Sequence, residues 1–128
     1  MASEKFGIIA TIREPTCMDA YQAMREVFAH KSVGTCEIRL DALMPQELSL
    51  FINSFSETLV QKKIILTLRS KESGGEESIS HEMRYAMWSS LPNNLRLLIS
   101  DSSSPVYVDF EVELFEWTEQ NGRGIPFP

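Results

Sequence analysis

The sequence has few cysteines, no long hydrophobic run and no excess of basic residues. Cys17 and Cys36 are its only cysteines and lack metal-site spacing, so we expect two reduced thiols in a cytoplasmic protein and no metal. No stretch approaches the roughly 20 apolar residues that cross a bilayer, and the start lacks a signal peptide's apolar core. With 18 acidic and 12 basic residues the net charge is −6, which argues against a nucleic-acid partner. We therefore expect neither a membrane nor a nucleic acid as partner.

What is present suits a single globular domain or part of one, residues 1–128. Hydrophobic residues make up 43% of the chain, enough for a core. Four short apolar segments, separated by segments with helical spacing and without hairpin signals, predict strands at 6–12, 35–40, 62–69 and 106–112. The order predicts a parallel sheet covered by helices. Two α/β architectures fit this order. One is a small open, flavodoxin-like sheet, and the other is half of a (β/α)8 barrel, because a whole barrel usually needs about 250 residues.

Local signals mark where the predicted helices begin and end. Thr16 can cap the first helix, and Gly34 is expected to close that segment. Pro45 suits the first turn of the second helix. The third helix is predicted over residues 80–91. The segment 115–128 ends in a Gly- and Pro-rich stretch without periodicity, so it is predicted to be an irregular tail.

Charged residues stand at the carboxyl ends of these apolar strands. Glu37, Arg39 and Asp41 alternate with apolar residues, so in a strand all three point to one face. The other strands end in further polar residues: Thr11, Arg69, Asp109 and Glu111. Two converging arginines suit a carboxylate ligand, which an arginine binds through two parallel hydrogen bonds. The alternative is an internal network in which Glu37, Asp41 and Glu111 pair with Arg39 and Arg69.

Several segments resemble the type I 3-dehydroquinate dehydratases. CEIRLDAL at 36–43, LTLRSKESGG at 66–75 and VYVDFEV at 106–112 resemble the second to fourth strands of that family, and IIATI at 8–12 is similar to the first. The resemblance implies the N-terminal half of a TIM barrel and a lyase of the shikimate pathway of aromatic amino acid biosynthesis. That lyase converts 3-dehydroquinate to 3-dehydroshikimate without a cofactor, sometimes fused to shikimate dehydrogenase. It implies substrate contacts at Thr11, Glu37, Ile38, Arg39 and Arg69, with supporting roles for Asp41, Glu72, Ser73, Asp109 and Glu111.

The residues that carry the covalent chemistry of the family have no counterpart here. The resemblance implies a Schiff-base lysine and a general acid–base histidine on later strands, beyond residue 128. Lysines and histidines within the chain are expected to be solvated surface residues: Lys62, Lys63, Lys71, His30 and His81. Ser73 stands where the family has a glutamate, and Glu72 is one residue early. We therefore expect an inactive chain that forms a homodimer or self-associates; a non-catalytic fragment or binding module is the alternative.

Overall fold

A computed structural model describes residues 7–56, 60–70 and 79–127. Its strands are β1 (Ile8–Ile12), β2 (Val33–Arg39), β3 (Lys63–Thr67) and β4 (Val106–Asp109). Its helices are α1 (Cys17–Ala29), α2 (Pro45–Ser54), α3 (His81–Ser89), α4 (Asn93–Ser100) and α5 (Val112–Gln120), with a 3₁₀ turn at Leu40–Ala42. The predicted alternation of strands and helices is confirmed. Across these described ranges, no helix is long and apolar enough to cross a membrane.

The four strands form one parallel sheet in the order β1-β2-β3-β4. Crossovers between neighbouring parallel strands are almost always right-handed, so a sequential order places every connecting helix on the same side of the sheet. A flavodoxin-like sheet instead reverses direction after its first two strands and carries helices on both faces. The flavodoxin-like alternative is therefore wrong, and the chain has the architecture of a (β/α)8 half barrel.

The two faces of the sheet differ in composition and in burial. One face packs against the helices and forms the core together with Met24, Phe51, Phe55, Trp88, Leu95 and Leu114. Its strand residues lie in two registered rows: Ala10, Cys36, Ile64 and Val106, then Ile12, Ile38, Leu66 and Val108. We call the other side the open face; it carries Ile9, Thr11, Thr35, Glu37, Arg39, Lys63, Ile65, Thr67, Tyr107 and Asp109. In a barrel this face is the interior.

Helix ends follow the local signals in two places and depart from them in a third. The Thr16 hydroxyl accepts a hydrogen bond from the Asp19 amide at 3.2 Å, which confirms the predicted cap of α1. Pro45 begins α2 as predicted. Gly34 does not close the first helical segment: α1 ends at Ala29, and Gly34 lies in β2.

The C-terminal end of α1 is held by a lysine from a distant part of the chain. The Lys62 ammonium donates to the carbonyls of Val33 at 2.6 Å, Val27 at 3.4 Å and His30. A positive charge at this end also offsets the negative pole of the helix dipole. Lys62 was expected to be a solvated surface residue; that prediction is wrong, because three backbone carbonyls surround its charge.

The last part of the chain is more ordered than its composition suggests. β4 ends at Asp109 rather than at residue 112, and α5 begins at Val112 and runs to Gln120. The prediction of an irregular tail is therefore wrong for residues 115–120. Beyond α5 the chain turns back onto α3, where the ring of Phe127 packs edge-on against Trp88 at 5.6 Å. The final segment lacks helical periodicity, and apolar contact with α3 holds it in place.

Candidate functional site

Polar side chains collect at the carboxyl-terminal edge of the open face. Thr11 and Glu37 are paired in the sheet register, and Arg39, Thr67 and Asp109 form the next row. Arg69 lies two residues beyond the end of β3. Alternation along each strand brings these side chains to one face, and the parallel register brings them to one edge. The structure thus gathers Thr11, Glu37, Arg39 and Arg69 as the sequence predicted.

Glu37 is oriented by hydroxyl groups from both neighbouring strands. Thr11 Oγ1 donates to Oε1 at 2.9 Å, and Thr67 Oγ1 donates to Oε2 at 2.8 Å. An ionised carboxylate offers about four acceptor positions, so these two bonds fix the group and leave acceptor capacity for ligand hydroxyls. Thr67 is fully buried and was not singled out from the sequence. The feature that points to Thr67 is its position in the sheet, where it is the register partner of Arg39.

Arg39 is held by the carboxylate of Asp41. Its Nε and Nη2 atoms donate to the two oxygens of Asp41 at 3.1 and 2.9 Å, and the side chains are 9% and 0% exposed. Asp41 Oδ1 also accepts the backbone N–H of Arg69 at 3.3 Å. Asp41 lies in the 3₁₀ turn that follows β2, so it reaches Arg39 from outside the strand. This pair agrees with part of the salt-bridge alternative.

Arg69 is the more accessible of the two arginines. Its Nη2 atom lies 2.8 Å from Asp109 Oδ2 across the ends of β3 and β4, and the two side chains are 36% and 33% exposed. The guanidinium carries five N–H donors, and this bond uses only one of them. A ligand can therefore approach Arg69 directly from the open face.

Two of the predicted site residues do not reach the open face. Ile38 is buried on the helix-covered side of β2, because it alternates with Glu37 and Arg39. Its side chain belongs to the core. Glu111 lies beyond the end of β4, at the residue before α5, where it is buried and pairs with Arg84 of α3. The predicted continuation of Asp109 and Glu111 along one strand face is therefore wrong.

Arg84 is a buried charge that sequence reasoning missed. It lies one helical turn before Trp88 on the core side of α3, and both are almost completely buried. Its Nη1 atom pairs with Glu111, while its Nε atom has no hydrogen-bond partner among the described residues. An arginine four residues before a core tryptophan was the available signal. This pair fixes α3 to α5 and lies outside the candidate site.

The described lysines and histidines that were weighed as catalytic groups lie away from this edge. Lys63 is on the open face but in register with Thr35, and its ammonium lies 4.5 Å from the centroid of the Tyr107 ring. His30 follows the last residue of α1, and the His81 ring stacks on Trp117 of α5 at 6.2 Å. The residues expected in the loop after Arg69 lie outside the described residues: Lys71, Glu72, Ser73, Gly74 and Gly75.

Over the parts of the chain that the structure describes, no three histidine, cysteine, aspartate or glutamate side chains come together as metal ligands. The carboxylates at the edge are instead paired with arginines or threonines. Binding of a polar organic ligand is the chemistry this arrangement offers.

Comparison with known families gives one clear result. The sequence profile of the type I 3-dehydroquinases matches residues 8–121, from β1 to the residue after α5. The match spans nearly the whole chain and includes every strand that carries the candidate site. No curated protein matches the sequence at a significant level.

Proposed function

Because the chain belongs to the type I 3-dehydroquinase family, we propose that the carboxyl-terminal edge of its open face is the substrate-binding half of the site. Members of this family are 3-dehydroquinate dehydratases, hydro-lyases of the shikimate pathway that form 3-dehydroshikimate. One observation carries the proposal: Glu37, Arg39 and Arg69 meet at one edge and are oriented by neighbouring side chains. A polyhydroxylated carboxylate such as 3-dehydroquinate offers the matching groups.

Each side chain has a distinct role in this proposal. Arg69 presents an accessible planar fork, which suits the substrate carboxylate or a pair of its oxygens. Arg39 is buried and fixed by Asp41, and it adds positive charge to the site. Glu37 accepts from substrate hydroxyls through its remaining acceptor positions, and Thr11 keeps the carboxylate facing the ligand. Together these contacts orient the ring of the substrate.

The covalent step needs groups that these residues do not supply. A lysine amine condenses with the substrate ketone and releases water, and the protonated imine then acidifies the adjacent C–H bond. A histidine takes that proton and afterwards protonates the departing hydroxyl, before hydrolysis of the imine frees the product. No lysine or histidine is among the described residues of this edge, so we propose that these residues act in substrate binding. Lys63 also lies on the open face, but it is not at this edge. It is two rows below Thr67 on the same strand, about 13 Å along β3 at 3.3 Å per residue.

Other aspects of the proposal concern where and how the chain acts. Ile9 and Tyr107 are exposed on the open face. β1 and β4 are the outer strands of the described sheet, so each has one free edge. Free edges and exposed apolar residues promote association, so we propose that the isolated chain forms homodimers. Two free thiols and an acidic composition support a reducing, cytoplasmic setting without a nucleic-acid partner.

A titration followed by two-dimensional NMR tests the binding role. Adding 3-dehydroquinate to the isotope-labelled chain should shift the amide signals of Thr11, Glu37, Arg39 and Arg69. Glu37→Gln removes the charge that accepts substrate hydroxyls and should weaken binding by about tenfold or more, the scale of one hydrogen bond to a charged group. The matched control is Glu82→Gln, an exposed glutamate of α3, which should leave the affinity unchanged. Shifts confined to other regions, or equal losses in both variants, would contradict the proposal.

A further inference from the structure

We infer that Asp41 is a positioning residue that locks Arg39 and Arg69 into one unit, so that the two arginines present a fixed pair of cations to a ligand. The inference rests on the proposed function, because it assigns a task within that site. The side chain of Asp41 is fully buried, so it acts through the arginines and not by touching the ligand.

The hydrogen bonds of Asp41 link the ends of two strands. Its two oxygens bind the Nε and Nη2 atoms of Arg39, which fixes both the position and the plane of that guanidinium. The oxygen bonded to Nε also accepts the backbone N–H of Arg69. One carboxylate atom is therefore shared by the side chain of Arg39 and the main chain of Arg69. Displacing the side chain of Arg39 must therefore disturb the main chain of Arg69, and the reverse also holds.

The place of Asp41 in the fold makes this link rigid. It lies in the 3₁₀ turn between two buried leucines, Leu40 and Leu43, which anchor the turn in the core. Arg39 and Thr67 are partners in the sheet register, so Arg69 leaves β3 two residues beyond the row of Arg39. The short side chain of Asp41 bridges the two strand ends from this turn. A glutamate is one methylene longer, so it would shift the carboxylate from this position.

Stability alone is a poor reason for such a pair. Burying an arginine and an aspartate costs desolvation free energy that their attraction does not always recover, and apolar replacements of buried pairs are often neutral or stabilising. The same pair becomes useful where a guanidinium must be held at a set angle for a planar ligand. Positioning accounts for a buried ion pair whose aspartate also holds the main chain of an accessible arginine.

The first arm of the test uses the ligand-free chain and NMR of arginine Nε–H and backbone amide groups. Asp41→Asn should shift the Arg39 Nε–H signal and the Arg69 amide together and speed up their hydrogen exchange. The matched control, Asp109→Asn, removes the other carboxylate from Arg69 and should leave the Arg39 Nε–H signal in place. An Arg69 amide that does not respond to Asp41→Asn overturns the inference.

The second arm measures affinity for 3-dehydroquinate and for its carboxamide analogue. Asp41→Asn should weaken the carboxylate ligand at least tenfold and the carboxamide much less, whereas a purely structural role would change both equally in the folded fraction. Should Asp41→Asn fail to fold, Asp41→Glu keeps the charge and moves it by one methylene, and it should show the same selective loss. A wild-type chain that binds neither ligand counts against the proposed function, and the first arm then decides the link. If Asp41→Asn changes the Arg39 and Arg69 signals together but leaves the affinity unchanged, the link between the arginines stands and the positioning role is overturned.

Discussion

The guanidinium of Arg84 and the carboxylate of Glu111 form a buried ion pair that joins α3 to the start of α5. Removing one partner leaves the other charge buried and alone, which typically costs about 3–5 kcal/mol. Glu111→Gln should therefore lower the free energy of unfolding, measured by urea denaturation, by an amount of that order. Glu82→Gln breaks the exposed pair with Arg123 and should cost less than about 1 kcal/mol. Equal losses in the two variants would mean that the buried pair contributes no more than a surface pair.

Cys36 makes stability depend on pH in the alkaline range. Burial raises the pKa of this thiol from 9.0 to about 11, and the neighbouring Glu37 charge acts in the same direction. A raised folded-state pKa means that the folded chain holds the proton more tightly, so the contribution is complete below pH 9 and is lost as the pH rises toward 11. We expect unfolding free energy to fall by up to about 1.4 kcal/mol per pH unit in this window. Cys36→Val should reduce that slope, and an unchanged slope would contradict the assignment.

Self-association should depend on the open face rather than on the outer helices. Ile9 on β1 is 57% exposed and Leu97 on α4 is 67% exposed, so the two residues are matched in type and accessibility. Ile9→Glu should weaken the dimer by placing a charge in an apolar contact, whereas Leu97→Glu should leave it intact. Sedimentation velocity at micromolar concentration measures the change. A monomeric wild-type chain, or loss of the dimer only with Leu97→Glu, would exclude this surface.

The described lysines should not form an imine with the substrate. Lys63 is on the open face but its ammonium is held over Tyr107, and Lys62 is held by backbone carbonyls. Treating the chain with 3-dehydroquinate and borohydride should therefore give no stable adduct by mass spectrometry. A stoichiometric adduct at any lysine would show that the chain carries its own nucleophile. It would also rule out the proposed division between binding and covalent chemistry.

The sequence predicted the parts of the site that depend on local geometry. Alternation in β2 placed Glu37 and Arg39 on one face, and this holds because the side-chain period of a strand is fixed at two residues. The same rule shows why Ile38 had to be buried. A contact assigned by family resemblance gave no information on which face its side chain occupies, whereas the period of the strand did.

Partners that depend on tertiary packing could not be predicted in the same way. Arg84 and Glu111 are 27 residues apart, and only the packing of α3 against α5 brings them together. Asp41 was expected to continue the strand, but the chain turns at Leu40, and that turn aims its carboxylate back at Arg39. The pattern of polar and apolar residues determines which face of a strand or helix each side chain occupies. The pairing of charges depends on turns and helix contacts that the pattern does not encode.

The central claim is that Arg69 binds substrate through its planar fork at the edge of the open face. Its most direct test is the kinetics and melting temperature of Arg69→Lys in a barrel completed with the remaining βα units of a family member. Lysine keeps the charge but loses the fork, so transition-state stabilisation should fall by roughly 2–3 kcal/mol.

That loss corresponds to a drop of about 30- to 150-fold in kcat/KM, at 1.36 kcal/mol per factor of ten. The melting temperature should change little, because Arg69 and Asp109 are both about one-third exposed and such pairs add little stability. A lowered melting temperature with unchanged kcat/KM would contradict the claim and would make the Arg69–Asp109 pair a structural contact only.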